Sequence, residues 1–529
     1  MVMVLEWAQS RLRAEALIAL GAFLVGMVDI VTAIRPTLTD RYDLFQAMLP
    51  TGTTTLAGSI TFAAGAALLL LAGGLARRKH RAWLLAIGLV AFAAVAHLAR
   101  GFDLEEALGS AALLLALLAL RRRFDVSGDP TSIRPLAGGI AVTAAAWGVV
   151  ALYGGEHANR VANVGLELLL AGGAFWALHH WLRAHREPDH PSDDDRARAH
   201  ELVARYGRDS LSFFALRADR RYTFSRACNA FLAYRVVAGC ALVAGDPIGA
   251  EDEIPDLVED FGALCRERGW RMVVLHSSAE WLDLYRRRGM RAVAIGDEAI
   301  IRPDAFSLEG RAMRKVRQSV TRLRKAGYAV RVLAPSQIPA SRRAEIEQVS
   351  AEWRGRAAER GFSMAMDDLY AHDAARFAVA VDGDGGIRGF LHLVPSSSGY
   401  SLSAMRRGVD TPNGLMEYLI CEATAWARSD GAGELSLNFS VFADVLRADE
   451  DSPAHMRAAR QLVVGLDRAF QLDRLFSFNR KFHPEWRTRY ICYERTRDVP
   501  VLSLATLHVE RLLTPPALRT GRSPSAGVR

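Results

Sequence analysis

Apolar residues are spread unevenly along the 529-residue chain. Before about residue 185 they form long blocks; beyond it they alternate with polar residues, as in an ordinary α/β protein. Six apolar stretches stand out, at roughly 14–34, 54–76, 82–99, 104–120, 136–153 and 161–182. Most approach the ~20 residues that a helix needs to cross ~30 Å of hydrocarbon. The pattern predicts an α-helical membrane domain of six spans over residues 1–186. No cleavage site precedes the five later stretches, so the first reads as a span and not as a signal peptide. Positive charge falls in alternate loops: Arg11 and Arg13; Arg77, Arg78, Lys79 and Arg81; Arg121, Arg122, Arg123 and Arg134; Arg183 and Arg186. The loops between are poorer in it, and one reads Asp103, Glu105, Glu106. The positive-inside rule then predicts a multi-pass protein of the inner (plasma) membrane with both termini cytosolic. Asp29, His97 and Glu167 lie within or near spans and invite a transport role, although positions at span ends or against other helices account for them more simply.

After the linker Glu187–Pro188–Asp189–His190–Pro191, an acidic-to-basic helix is expected from Asp193 to about Ala204. Strands follow at Leu211–Leu216, Phe231–Val237, Ala241–Ala244 and Met272–Leu275, with helices near 252–268 and 279–288. A basic helix at 308–326 precedes a second round. That round has strand Ala329–Leu333, helix 341–360, strands 376–381 and 387–394, helix 413–429, strand Glu434–Asn438 and helix 454–470. Two rounds of mixed strands and helices predict an α+β region of two similar lobes, over 187–326 and 327–510, ahead of a disordered tail at 511–529.

A formal charge of +8 and a pI near 9.4 point to an anionic partner, such as RNA or an acidic membrane surface. The five cysteines form no CxxC pair and do not cluster with histidine, which argues against a zinc site, any other metal centre or a disulfide framework. Arginine has displaced lysine almost everywhere; only Lys79, Lys315, Lys325 and Lys481 remain. The segment Gly310–Gly327 carries Arg311, Arg314, Lys315, Arg317, Arg322, Arg324 and Lys325 with no acid among them. Uncompensated positive charges repel one another, so this helix suits a polyanion better than a merely solvated face does. Two further constellations carry candidate chemistry. Ser401–Arg407 is followed by Thr411–Pro412–Asn413–Gly414 at a helix start, where an arginine pair beside a helix N-terminus can hold a phosphate or an oxyanion. Phe478–Tyr490 interleaves basic and aromatic residues, which suits nucleic-acid ends or lipid headgroups, and equally a surface turn.

Taken together, these residues resemble the aminoacyl-phosphatidylglycerol synthases, the multiple peptide resistance factor family, over roughly 200–500. The resemblance rests on Gly245–Asp246–Pro247–Ile248–Gly249, Glu309–Gly310–Arg311 through Arg317, Glu352–Trp353 and Gly361–Phe362–Ser363. It continues in Met405–Arg406–Arg407, Pro412–Asn413–Gly414–Leu415–Met416, Leu437–Asn438–Phe439, and Lys481–Phe482 with Pro484, Trp486, Arg489 and Tyr490. It implies two tandem acetyltransferase-like (GNAT-type) lobes behind a membrane domain, the second lobe catalytic. It implies transfer of an aminoacyl group, lysyl or alanyl for example, from charged tRNA to phosphatidylglycerol, which lowers the negative charge of the membrane and blunts cationic antimicrobial peptides. There are departures. The family often has an aspartate where Ser403 stands, six spans put lipid flipping in doubt, and no appended synthetase is visible, so charged tRNA would come from elsewhere.

The expected site follows. Lys481, Arg406, Glu352 and Asn438 are catalytic candidates, and Asp246, Arg407, Asn413, His483 and Arg489 are candidates for binding substrate. Glu352, Asp246 and His483 are the candidate general bases. Arg311, Arg314, Lys315, Arg317, Arg324 and Lys325 would take tRNA phosphates. No cofactor is expected beyond charged tRNA as co-substrate; the membrane, the anionic lipid and a homo-oligomer are the other expected partners. Two rival readings compete with this one. A CoA-dependent acyltransferase would want a Gly-rich pyrophosphate loop, which the second lobe lacks, and a lipid flippase or transporter would leave the soluble half without catalysis.

Overall fold

The computed structural model describes residues 2–34, 65–99, 104–124, 126, 191–355, 364–441 and 472–510. The expected spans at 136–153 and 161–182, helix 454–470, Gly361–Phe362–Ser363, Glu167 and the tail lie outside them. Two compact units emerge, one built mainly on the chain up to Glu187 and the other on the remainder.

In the first unit, α1 (Val2–Ile34), a helical segment over 65–75, α2 (His80–Ala99) and α3 (Leu104–Ala119) share an apolar core of residues such as Ile18, Leu68, Leu75, Val90 and Leu117. Small residues let two of these helices approach closely: a Cβ at Gly26 would lie 2.7 Å from the Gly65 carbonyl. Asp29 is buried on α1. No helix among the described residues is long and apolar enough to cross a membrane, so the six expected spans are not seen as such.

The second unit opens on α4 (Asp193–Tyr206), whose N-cap Ser192 accepts from the Asp195 amide, while three aspartates complement the helix N-terminus. The strand expected at Leu211–Leu216 is instead a 3-10 helix, Ser212–Leu216, with every residue buried. Apart from Ser212 this run is apolar and has no polar face to give a half-exposed strand, and here it packs into a core. Then come β1 (Arg221–Phe224), β2 (Ala230–Val237), β3 (Cys240–Ala244), β4 (Ile248–Gly249), α5 (Ile254–Arg268), β5 (Arg271–Ser277), α6 (Leu282–Arg287) and β6 (Arg291–Ile301). The basic helix α7 spans Arg314–Lys325, beginning later than expected because Gly310, at φ +82°, turns the chain first. The second round runs β7 (Ala329–Leu333), α8 (Ala340–Arg354), β8 (Arg376–Val381), β9 (Ile387–Ser396), β10 (Gly399–Arg407), α9 (Leu415–Ser429), β11 (Glu434–Val441), α10 (Leu472–Asn479), β12 (Glu485–Tyr493) and α11 (Val499–Val509).

The described strands form one sheet in the order β1-β2-β3-β5-β12-β6-β11-β10-β9-β8-β7, with β4 on β2. Each round contains one parallel pair, β3 with β5 and β10 with β11. The last strand of each round is traded: β12 lies between β5 and β6, and β6 lies between β12 and β11. The two lobes are thus one continuous sheet, and the expected boundary near 326 does not separate them. Helix α7, assigned by sequence to the first lobe, packs Met313, Val316, Val320 and Leu323 into the second-round core with Leu415 and Leu419 of α9. Side chains alternate across the sheet. Leu391, Leu393 and Ala299 face α7 and α9, whereas Phe377, Phe390 and Val379 face Ile346 and Val349 of α8.

Candidate active site

Three central strands, β6, β11 and β12, meet at one buried charge. Glu298 of β6 is fully buried and alternates to the α8 face, opposite Ala299. Its carboxylate accepts from the hydroxyls of Ser210 (2.5 Å) and Ser436, and from Nε of Arg489 (2.9 Å). Arg489, on β12, also donates to Asp209 (2.7 Å) and Ser210 (2.9 Å). A bulge beside Arg489 breaks the β12–β6 register and turns its side chain to this position. Burial works against the guanidinium's charge, yet the carboxylates of Asp209, Glu298 and Asp246 hold its pKa above the ordinary arginine value. Its donors are filled by protein acceptors, so Arg489 assembles the centre and does not reach out to a phosphate.

Asp246 follows β3 and accepts from the Ser277 hydroxyl (2.9 Å) and the Ser278 amide (3.0 Å) at the end of β5. Burial, and then Asp209, push its pKa up to about 6 against the opposing pull of Arg489. His276 is buried beside it at φ +62°, and burial, Arg489 and Arg220 push its pKa down to about 3.

In the second round, β10 and β11 pair in parallel only as far as Ser401 and Ser436 and then part. Asn438, at φ +68°, spans the gap: its side-chain amide donates to the carbonyls of Leu402 (2.8 Å) and Met364 (2.6 Å). The Ser403 hydroxyl accepts from the Met366 amide at 2.9 Å. Serine therefore serves here to anchor the segment that covers the splayed strands. Further along the same face, Arg406 is buried, donates to the Ser350 hydroxyl of α8 (2.7 Å) and lies over the Phe390 ring. Glu352, two residues beyond Ser350 on α8, is exposed, accepts from the Gln348 side-chain amide (3.0 Å) and lies beside Gly408. His392 of β9 is buried against Phe377. Burial holds its pKa down to about 3, against the Leu369 backbone, which raises it, and Arg406 adds to the lowering. The buried Tyr370 hydroxyl has no hydrogen-bond partner among the described residues.

The structure therefore ties Arg406 to Ser350 of α8, leaves Glu352 exposed on the same helix, sets Asp246 within the charge field of Arg489, and joins Asn438 to the Glu298–Arg489 centre through Ser436. It sets Lys481 apart. Lys481 lies in the 3-10 turn Arg480–Phe482, where it donates to Glu417 of α9 at 2.8 Å and covers the Phe478 ring, on the opposite face of the sheet from Arg406. His483 is exposed and closes that turn at φ +48°. Asn413 is exposed, with its carbonyl bound by Arg322 of α7; Arg407 is half-buried. Gly414, at φ +91°, starts α9 so close to α7 that a Cβ would meet Ser319 Oγ at 2.5 Å. The basic residues of α7 all point to solvent. Arg324 pairs with Glu422 (2.6 Å) and Arg317 binds the carbonyls of Leu308 and Gly310, whereas Arg311, Arg314, Lys315 and Lys325 have no partner among the described residues.

Sequence reasoning missed Glu298, Asp209, His276, Tyr285, Tyr370 and His392. The signal for Glu298 was present: Asp297–Glu298 interrupts the apolar run 292–301, where adjacent acids have no place unless partnered.

The sequence profile described as "Phosphatidylglycerol lysyltransferase, C-terminal" matches residues 200–493, more than half of the chain. The chain belongs to this family. The lysylphosphatidylglycerol biosynthesis bifunctional protein LysX of Mycolicibacterium gilvum is 33% identical over 515 residues, covering 88% of this chain and 47% of the relative. The namesake from Mycobacterium tuberculosis H37Rv is 33% identical over 514 residues, 87% of this chain and 44% of its own length. This family member thus spans about half the length of those relatives. Among solved structures, L-PGS from Bacillus licheniformis superposes with a TM-score of 0.55 at 24% identity, over 62% of this chain and 99% of that one. The C-terminal domain of a putative lysylphosphatidylglycerol synthetase from Agrobacterium fabrum gives 0.52 at 25% identity, over 62% and 98%. The second unit therefore has the fold of these two solved structures.

Proposed function

We propose that this chain esterifies phosphatidylglycerol with an aminoacyl group, lysyl or alanyl, taken from charged tRNA. The observation that carries the reading is the family match over 200–493, which encloses the buried centre, the splayed strands β10 and β11 and the basic helix. In the reaction, the ester bond between the acyl carbon and the tRNA ribose oxygen breaks. A new ester forms to the glycerol hydroxyl, whose proton passes to the leaving ribose oxygen. An ester replaces an ester, so the protein's task is to position two anionic substrates, accept one proton and stabilise an oxyanion.

Arg406 is the cation for the lipid phosphodiester. His392, buried and neutral, accepts the hydrogen bond of the glycerol hydroxyl through the ring nitrogen that does not face the Leu369 backbone. A phosphodiester beside Arg406 offsets the cation that helps to depress His392 and so makes the imidazole a better base. The exposed, unpartnered residues of α7 take tRNA phosphates, and no cofactor takes part. The N-terminal unit lies in the membrane with both termini cytosolic. Support comes from its outward-facing Leu17, Leu24, Leu108 and Leu115, from the Gly26–Gly65 approach, and from the alternate basic loops. Mass spectrometry of lipids extracted with and without the gene tests the reading. Aminoacyl-phosphatidylglycerol should appear only with the gene, and identical lipid profiles would refute it.

A further inference from the structure

Backbone hydrogen bonds stitch two turns of the first unit together. The helical segment over 65–75 ends in a turn that leads into α2, and α3 ends in the 3-10 turn Arg121–Arg123. The His80 amide donates to the Val126 carbonyl (3.0 Å), and the Val126 amide donates to the Arg78 carbonyl (3.1 Å). Side chains reinforce the join. Arg78 Nε donates to the Arg123 carbonyl (2.8 Å), and Trp83 Nε1 donates to the Leu117 carbonyl (2.9 Å). The Trp83 ring stacks on His80 (5.3 Å between ring centres) and on Phe124 (6.3 Å). Arg78 itself sits at φ +60°, a left-handed position after a helix that glycine normally takes. The join gathers Arg77, Arg78, Lys79 and Arg81 of the first turn with Arg121, Arg122 and Arg123 of the second. Over residues 76–81 and 120–126 the one acid is Asp125.

Like charges held together repel one another. The positive-inside rule asks only that such charges lie in the loops, not that the loops be joined. A fixed cationic cluster suits a bound anion, and the apolar surface beside it identifies which. Leu84, near the start of α2, and Leu115 and Leu118, near the end of α3, are exposed. Trp83 is the kind of side chain that sits where hydrocarbon meets headgroups. RNA has no use for exposed leucines, whereas a phospholipid needs both features, leucine for its acyl chains and arginine for its phosphodiester. We propose that these joined turns bind the phosphodiester headgroup of an anionic phospholipid, phosphatidylglycerol, in addition to the lipid site at Arg406. The inference rests on the membrane placement and the lipid acceptor proposed above. It adds a preference between acceptor and product. An alanyl ester cancels the lipid's net charge and a lysyl ester reverses it, so the cluster holds the acceptor and releases the product. No bond is made or broken there.

Native mass spectrometry of the purified full-length chain in detergent micelles counts the lipids that stay bound. An Arg406→Ala background removes the proposed catalytic cation. In it, phosphatidylglycerol should be retained at least about tenfold better than phosphatidylcholine, whose headgroup has no net charge. Arg77→Gln, Arg121→Gln and Arg122→Gln together remove three exposed cations. They should cut that retention by roughly tenfold or more while the melting temperature holds. Lysine at the same three positions keeps the charge and should keep the lipid. Equal retention of the two lipids, undiminished retention in the glutamine variant, or equal loss in the lysine and glutamine variants would overturn the site. Loss of tRNA affinity in the glutamine variant with lipid retention unchanged would make the cluster an RNA surface and overturn it too. Selective retention without any transfer from charged tRNA would count against the transferase reading alone. Transfer to phosphatidylglycerol by the chain with Arg406 intact, without selective retention in the Arg406→Ala background, would count against this site alone.

Discussion

Asp246→Asn should stabilise the protein at neutral pH while impairing it. In the folded chain the carboxyl holds its proton up to about 6, against an ordinary 3.8. Between those values the folded state binds more protons than the unfolded state, so stability falls as pH rises through the window. The cost is absent below the ordinary value and complete above about 6. A difference of about two pH units corresponds to about 3 kcal/mol, an upper figure because the site relaxes around the charge. Asparagine keeps an oxygen to accept from Ser277 and Ser278 but carries no charge, so it escapes this cost. Thermal melts at pH 7.5 should place the variant above wild type by on the order of 5 °C, and the gap should close near pH 4. A functional site that opposes stability behaves in this way. A variant that melts below wild type at pH 7.5, or a gap that does not shrink on acidification, would refute the reasoning.

Three other perturbations separate scaffold from site. Arg489→Met strands Asp209 and Glu298 without their cation and should cost about 3–5 kcal/mol in denaturant unfolding; a loss under about 1 kcal/mol would contradict the buried centre. Replacing Arg311, Arg314, Lys315 and Lys325 together by glutamine should leave the melt unchanged and weaken tRNA binding. The salt slope should fall by roughly 0.7–0.9 for each phosphate that is no longer neutralised, whereas an unchanged slope would return α7 to an ordinary solvated face. Lys481→Ala removes a half-exposed pair with Glu417 and should cost less than ~1 kcal/mol, with transfer to lipid close to wild type. Abolished transfer with an intact melt would put the Lys481 ammonium at the reaction centre after all.

Much of the fold could be read from hydrophobic periodicity. Helices α4, α8 and α9 and strands β2, β3, β8 and β9 fall within a few residues of their expected places, because the helices carry an apolar face and the strands are short, largely apolar runs between polar or glycine-containing turns. The strands that build the centre were harder to read. In β6 the residues Gly296, Asp297 and Glu298 interrupt the alternation, and in β12 arginines stand where a core strand normally carries apolar side chains. Those interruptions are the site: Glu298 and Arg489 neutralise each other across strands that local sequence cannot know to be neighbours. The trade of β6 and β12 between the rounds is a long-range pairing and leaves no local trace. Among the candidate residues, Asp246, Arg406 and Asn438 were found through their motifs. Lys481 was raised by its rarity in an arginine-rich chain, a bias of composition that says nothing of position.

The most direct test of aminoacyl transfer uses the purified full-length chain, tRNA charged with radiolabelled alanine or lysine, and vesicles with and without phosphatidylglycerol. Label should enter the lipid fraction only when phosphatidylglycerol is present, and Arg406→Ala should abolish the transfer while tRNA binding persists. Label that stays on tRNA with both amino acids in the presence of phosphatidylglycerol, or that enters lipid equally with Arg406→Ala, would contradict the account.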